Sequence, residues 1–422
     1  MTEIASPDVA LHLRQQVASR EEGHGLPRSF YHDPTIFQAE IEAIWRRGWL
    51  LAGHTCQLSK PGDYFTYQVD TDPILIIRDD DGEIRALHNI CRHRGMQLCQ
   101  TEQGHVGRLV CPYHQWVYSR SGELLTCRGM QEEVDKSQLG LLPLHVEVVA
   151  GLIYISLANE PPAFEQAREL MQPLMQPQGL ERAKIAKTVE YTIEANWKLV
   201  WENNRECFHC NVNHPQYIKA NYDHINADDV SEAVQQEMAA TVARSEEKWS
   251  SVGLAATHHD TGMATFPDAE QNLWYSANRT TLVEGFVSET LEGRQVAPLM
   301  GDYPDADVGT LRLRTMPNFW NHSSCDHGVT TRLTPDGPRK TLAQVTWLVH
   351  EDAVEGRDYQ LDELMPFWQL TSEQDWDLCA AAQRGVDSRA FKPGPLSTYK
   401  EYNLDAFFRW YLRQLSDYCD AA

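Results

Sequence analysis

Two short pairs of metal-seeking residues, Cys91-Arg-His93 and Cys111-Pro-Tyr-His114, constrain the possible folds more than any other feature of the chain. Seventeen residues separate His93 from Cys111, and the runs around them (YFTYQV, PILIIR, ALHNIC, RLVCPY, LIYISLA) are short and β-rich. Turn signals such as KPGD, DDDG and SRSG divide these runs, so residues 46–160 are expected to form a small all-β domain. Four such donors on turns fit either a tetrahedral zinc site or a [2Fe–2S] cluster with mixed ligands. Helix-based zinc fingers pair Cys with Cys and His with His. Here each pair mixes one thiol with one imidazole, which suits a cluster whose two irons are held by two thiolates and by two imidazoles. The ligands expected for a [2Fe–2S] group are Cys91, His93, Cys111 and His114.

CRHRG followed by CPYHQW resembles the Rieske motif of Rieske non-haem iron oxygenases. Many members of that family carry Gly after the second His, where this chain has Gln115. The fold this implies is α+β: an all-β Rieske domain ahead of a helix-grip-like α+β catalytic domain built on an antiparallel sheet. The expected boundaries are an N-terminal helical segment at 1–45, the Rieske domain at 46–160 and the catalytic domain at 161–422. Within the first, Asp33 caps a helix that begins at Pro34 and carries Phe37, Ile41, Ile44 and Trp45 at helical spacing. Within the last, 163–177 is amphipathic, TVEYTI and TLAQVTWLVH are strand-like, and the polar stretch 225–300 is expected to be long loops.

A second cluster of donors, ECFHCNVNHP at 206–215, is open to three readings: a zinc clasp, a redox motif or a different metal. Asn196 is a plausible cap for a helix running through this segment. On such a helix Glu202, Glu206 and His209 share one face, while Cys207 lies about 200° and Cys210 about 100° around from His209. Pro215 forces His214 out of the helix, so that His214 can curl back towards His209. Two histidines without the thiols, joined by a distant carboxylate, make the facial triad of a non-haem Fe(II) site.

The resemblance extends to NWK…EN…E-x-x-H-x4-H and implies His209 and His214 as iron ligands. It also implies Glu206 as an acidic bridge from His209 to the Rieske ligand His114 of the neighbouring subunit. The third ligand it implies is Asp375, in TSEQDWDLCAAAQRG. There Asp377 is the alternative on spacing, and a capping-box role towards Ser372 is the plain structural one. That helix is expected to start at Thr371 or Ser372, to bury Leu378, Cys379 and Ala382, and to end at Gly385.

ENNRECFHCNVNHPQY, FWNHSSCDH and TWLVHEDAVEGRDY look like the glycine betaine monooxygenase, stachydrine demethylase and carnitine monooxygenase group. The resemblance implies oxidative N-demethylation of a small quaternary ammonium compound, with O2 as cosubstrate. Electrons would come from NAD(P)H only indirectly, through a separate flavin/iron-sulfur reductase, to a homotrimer. Several aromatic residues crowd the iron segment in sequence, and Phe208, Phe319 and Trp320 are candidates to bind a quaternary ammonium through cation–π attraction.

A formal charge of −23 argues against nucleic acid and against anionic membranes. No basic region followed by an apolar one opens the chain, and the apolar run 146–158 is too short to span a bilayer. The protein is therefore expected in the cytoplasm, its ten cysteines mostly thiols or metal ligands. Three other functions compete: hydroxylation of an aromatic ring or acid, a pure Rieske electron carrier, and a zinc-stabilised binding protein.

Overall fold

The computed structural model describes residues 5–222, 231–255 and 274–421. Helix α1 (Pro7–Ala18) starts from Ser6, whose hydroxyl accepts from the Val9 amide. Asp33 caps α2 (Pro34–Glu40) through Thr35, and the helix continues as a π-helical turn over Ile41–Trp45. Strands β1 (Leu50–His54), β2 (Asp63–Val69), β3 (Asp72–Arg78), β4 (Ile84–His88), β5 (Gln103–His105), β6 (Leu109–Val110), β7 (Val117–Tyr118), β8 (Leu124–Thr126), β9 (Pro143–Val149) and β10 (Leu152–Ser156) follow. Seven of them form one antiparallel sheet in the order β1-β10-β9-β4-β3-β2-β5, and β6-β7-β8 form a small second sheet.

The continuous apolar run PILIIR is explained by burial of β3 on both faces. Ile74 and Ile76 join the large core shared with the rest of the molecule, while Leu75 and Ile77 join a smaller core that also holds Cys91 and Cys111. Alternation along one strand thus couples the two cores.

After α3 (Glu165–Met175) the chain enters β11 (Lys184–Ile193), α4 (Trp197–Asn204), α5 (Cys210–Asn213), α6 (Pro215–Ala220) and α7 (Glu232–Ser251). Strands β12 (Tyr275–Thr280), β13 (Thr310–Thr315), β14 (Phe319–Ser323), β15 (Gly328–Pro335) and β16 (Thr341–Val349) complete a six-stranded antiparallel sheet in the order β11-β16-β15-β14-β13-β12. Three helices close the chain: α8 (Leu361–Leu364), α9 (Pro366–Val386) and α10 (Tyr402–Asp420).

The long loops expected over 225–300 are found at 281–300, but α7, a twenty-residue helix capped by Ser231, and the strand β12 correct the expectation earlier in the stretch. The Ala, Glu, Gln and Met residues of α7 favour helix, but only Thr241, Ser245 and Trp249 are buried, so no apolar stripe announced it. The remaining residues of that stretch that fall in 225–230 and 256–273 lie outside the described part.

The two sheets are tied by polar contacts as well as by the common core. The Asn318 side chain accepts from the Leu51 amide at 2.9 Å and donates to the Leu51 carbonyl at 3.0 Å. The Arg332 guanidinium sits 4.4 Å above the Tyr67 ring and donates to the Ala52 carbonyl.

Candidate metal centres

In the small core, the loops carrying Cys91 and Cys111 are built alike. The Cys91 amide donates to the Met96 carbonyl and the Gly95 amide to the Cys91 carbonyl. In the other loop the Cys111 amide donates to Trp116 and the Gln115 amide to Cys111. Gly95 and Gln115 occupy equivalent left-handed positions, with φ of 71° and 59°. Glycine reaches that region freely, whereas Gln115 does so at a cost.

Both cysteines are 1% exposed, and the His93 and His114 rings lie 4.6 Å apart. His93 stacks on Trp116 at 4.9 Å. The Nδ1 atoms of His93 and His114 are buried and have no hydrogen-bond partner. Orphaned buried donors of this kind call for a ligand. Two such nitrogens beside two buried sulfurs suit mixed ligation of two irons. The Tyr118 hydroxyl lies 3.3 Å from Cys91 Sγ and accepts from the Arg92 amide, placing a polar neighbour where it can tune a cluster.

The second donor set forms where three helices meet. α4 ends at Asn204, so the continuous helix expected through 214 does not form. The chain instead turns through 205–209. The Glu206 carboxylate accepts from the Phe208 and His209 amides within that turn, and α5 follows from Cys210. Glu206 Oε1 lies 2.7 Å from His209 Nδ1, which leaves Nε2 facing inward. His214 is just before α6, with Nδ1 2.8 Å from Gln374 Oε1. The Nε2 atoms of His209 and His214 converge on Asp375 Oδ1, at 3.2 and 2.9 Å. Each imidazole thus has an acceptor behind it and one nitrogen turned to a common point, the arrangement in which a histidine ligand is oriented.

Burial disfavours a charged His209, but its bonds to Asp375 and Glu206 outweigh this and push it up to about 10. Burial likewise raises Asp375, yet both histidines hold its carboxyl below the usual range. A divalent metal entering between two imidazoles and a carboxylate would displace the proton that His209 holds.

Asp375 lies well inside α9, which begins at Pro366 and not at Thr371 or Ser372, so the capping-box role is ruled out. Asp377 is exposed, and Ala382 is exposed as well, its expected buried place being taken by Gln383.

The thiols do not point away from the histidines, because their predicted directions assumed one helix. Cys210 Sγ lies 3.9 Å from His209 Nε2 and groups with both histidines as a possible donor. Its sulfur is bonded to Cys207, so the ligand set is read through Asp375; the other eight cysteines are free. No sequence signal distinguished this disulfide from a pair of thiols.

Trp320 on β14 packs against Trp201 of α4 at 5.3 Å and against Trp376, the residue after Asp375, at 6.5 Å. Phe319 and Phe208 do not join it. Neighbours along a strand face opposite ways, so Phe319 packs on Tyr154 of β10. Phe208 is 51% exposed under the Lys400 ammonium. Sequence reasoning missed Gln374, Trp368 and Trp376. Gln374 adjoins Asp375, and Trp368 lies seven residues before it on the same helix face.

The fold and the two donor sets define a class, and sequence comparison bears it out. Residues 48–143 match the Rieske [2Fe-2S] domain and residues 180–417 the ring hydroxylating alpha subunit (catalytic domain). The chain belongs to the Rieske non-haem iron oxygenase alpha subunits, a family of oxidoreductases using a [2Fe–2S] cluster, mononuclear iron and O2. Among its relatives, the glycine betaine monooxygenase oxygenase subunit of Chromohalobacter salexigens is 38% identical over 95% of this chain and 88% of its own length. The fold is shared with a quaternary ammonium Rieske monooxygenase bound to L-carnitine (TM-score 0.69, 22% identity, 94% and 97% of the two chains). It is shared too with naphthalene 1,2-dioxygenase from Rhodococcus sp. (TM-score 0.67, 18% identity, 97% and 99% covered). Among the described residues no helix is long and apolar enough to cross a membrane.

Proposed function

We propose that this chain is the oxygenase component of a system that oxidatively N-demethylates a small quaternary ammonium compound. The observation that carries the reading is the near-full-length similarity to a glycine betaine monooxygenase subunit, joined to the convergence of His209 and His214 on Asp375. Aromatic faces attract a quaternary ammonium, by about 2 kcal/mol where water is excluded. The likeness to a naphthalene dioxygenase is one of fold and does not choose a substrate.

When bound, the iron would activate O2 for insertion into a C–H bond, and the cluster would supply electrons one at a time. His209, His214 and Asp375 would hold the iron, and Cys91, His93, Cys111 and His114 the cluster. Aromatic side chains such as Trp320 would hold the cation with one N-methyl carbon towards the iron. Hydroxylation of that carbon gives a carbinolamine, which collapses to formaldehyde and the demethylated amine.

Glu206 fixes His209 by its Nδ1 and, in this reading, also accepts from the partner subunit's His114 in a homotrimer. Surface chemistry supports that contact. Tyr113, Val110 and Met130 expose apolar surface beside the cluster loops, and Phe208, Val212 and Tyr399 do so beside Glu206. A separate reductase passes electrons in from NAD(P)H.

The test is steady-state turnover with a reductase and a panel of betaines plus an aromatic acid. Formaldehyde with one betaine, and a product lighter by one methylene unit, supports demethylation. Ring hydroxylation without formaldehyde would refute it.

A further inference from the structure

The Cys207–Cys210 bridge stands where it can decide which metal the two histidines hold. It closes a loop over residues 207–210, so His209 lies inside the ring that the bridge makes. The two cysteines are 9% and 5% exposed, while Phe208 between them is 51% exposed, which puts the bridge just beneath the surface. Cys-x-x-Cys is also the spacing of disulfide oxidoreductases, whose bridges open and close by thiol–disulfide exchange.

Opening the bridge changes the donor set. Cys210 Sγ lies 3.9 Å from His209 Nε2, the nitrogen that also meets Asp375 Oδ1 at 3.2 Å. The donor atoms of His209, Cys210 and His214 all lie within 4.8 Å of one another. A nitrogen and a sulfur on one tetrahedral zinc, at about 2.0 and 2.3 Å from it, stand about 3.6 Å apart. A freed Cys210 thus reaches a metal shared with His209 after a small side-chain movement. In a disulfide the sulfur is no thiolate and so no ligand. His209, His214 and Asp375 then remain three donors around an open site, which suits Fe(II) and leaves room for O2. A thiolate makes a fourth donor, soft and anionic. Four donors that include a thiolate form the closed tetrahedral set that suits zinc, and zinc has no redox chemistry.

We infer that the Cys207–Cys210 pair is a redox-controlled selector of the metal. Bridged, it keeps the site open for iron; opened, it lends Cys210 as a thiolate ligand and admits zinc in place of iron. The reductant is a dithiol. One of its sulfurs attacks the bridge to form a mixed disulfide and the other displaces it, leaving two protein thiols and an oxidised dithiol. The Cys210 thiol gives its proton to solvent as its sulfur bonds the zinc. The inference needs the donor set and not the demethylase reading, because zinc ligation is measured without substrate.

The experiment uses the cluster-loaded full chain, either bridged or treated with a small dithiol. The two states are told apart by whether eight or ten cysteines can be alkylated after unfolding. The mononuclear iron is removed with a mild chelator, and zinc and Fe(II) are offered together without oxygen. Bound metals are then counted, and X-ray absorption at the zinc edge reads the ligands of the zinc. In the bridged protein any zinc should be held by nitrogen and oxygen alone. Dithiol treatment should add one sulfur at about 2.3 Å and raise the share of zinc over iron. Cys207→Ser, which leaves Cys210 a thiol without any reductant, should show the same sulfur, and Cys210→Ser should show none in either state. If Cys207→Ser fails to fold, the dithiol-treated wild type decides alone, and if the bridge resists the dithiol, Cys207→Ser does. Zinc held without sulfur where Cys210 is free overturns the inference, as does a zinc share that opening the bridge leaves unchanged.

Discussion

Glu206 meets three nitrogens at once, the Phe208 and His209 amides and His209 Nδ1, so one carboxylate fixes both a turn and the ring of a proposed iron ligand. Glu206→Gln keeps the size and most of the bonds but loses the charge. The iron content and visible cluster spectrum of this variant should match the wild type, while turnover falls roughly 10–100-fold, the usual cost of losing an outer partner of a metal ligand. Full activity in a doubly metallated variant would remove the bridge from the account. Glu202, four residues earlier, behaves differently. Burial raises it to about 8, against the lowering effect of the Tyr31 bond and of Lys198. A carboxyl that binds its proton more tightly when folded stabilises the protein fully at low pH, and that stability is lost as pH climbs from its ordinary value of 4.5 to about 8. Thermal melts of Glu202→Gln should therefore lose less Tm between pH 5 and pH 8 than the wild type; an identical slope would show that Glu202 does not titrate there.

At the scale of elements, much of the design is readable as donor spacing and little of it as helix direction. The β-rich runs and the two Cys/His pairs were visible because strands and metal turns are local. The break of α4 was not visible, because no proline or glycine marks the turn at 205–209, where the Glu206 carboxylate accepts from the Phe208 and His209 amides. The start of α9 was placed too late for a related reason. Thr371 resembles a cap, but its hydroxyl donates back to the Phe367 carbonyl inside the helix. Buried cross-links were equally hidden. Glu40 of α2 receives Trp197 Nε1 at 2.8 Å and Lys198 Nζ at 2.6 Å from α4, and the Tyr411 hydroxyl from α10. Glu40→Ala would leave Lys198 buried beside no equal partner, and chemical denaturation should show a loss of about 3–5 kcal/mol. The cluster loop offers the opposite case. Gln115 sits where Gly95 sits in the matching turn, so Gln115→Gly should relieve strain and raise stability by roughly 0.5–1 kcal/mol, after allowing for the freedom glycine gains when unfolded.

The whole molecule places its two donor sets in separate cores coupled through β3 and leaves apolar surface beside each. If those surfaces meet between copies, light scattering should give a mass three times the 48.2 kDa chain, and dilution to monomers should abolish turnover while both metals stay bound. The central claim is that iron held by His209, His214 and Asp375 removes an N-methyl group. It is tested most directly by one reaction cycle without a reductase. Chemically reduced, iron-replete protein is mixed with O2 and glycine betaine, and cluster reoxidation is followed by visible absorption while formaldehyde and the amine product are quantified. The account predicts fast reoxidation, formaldehyde in proportion to iron, and dimethylglycine as the product. Slow reoxidation that the betaine does not accelerate, with no formaldehyde formed, would contradict it and leave an electron carrier in its place.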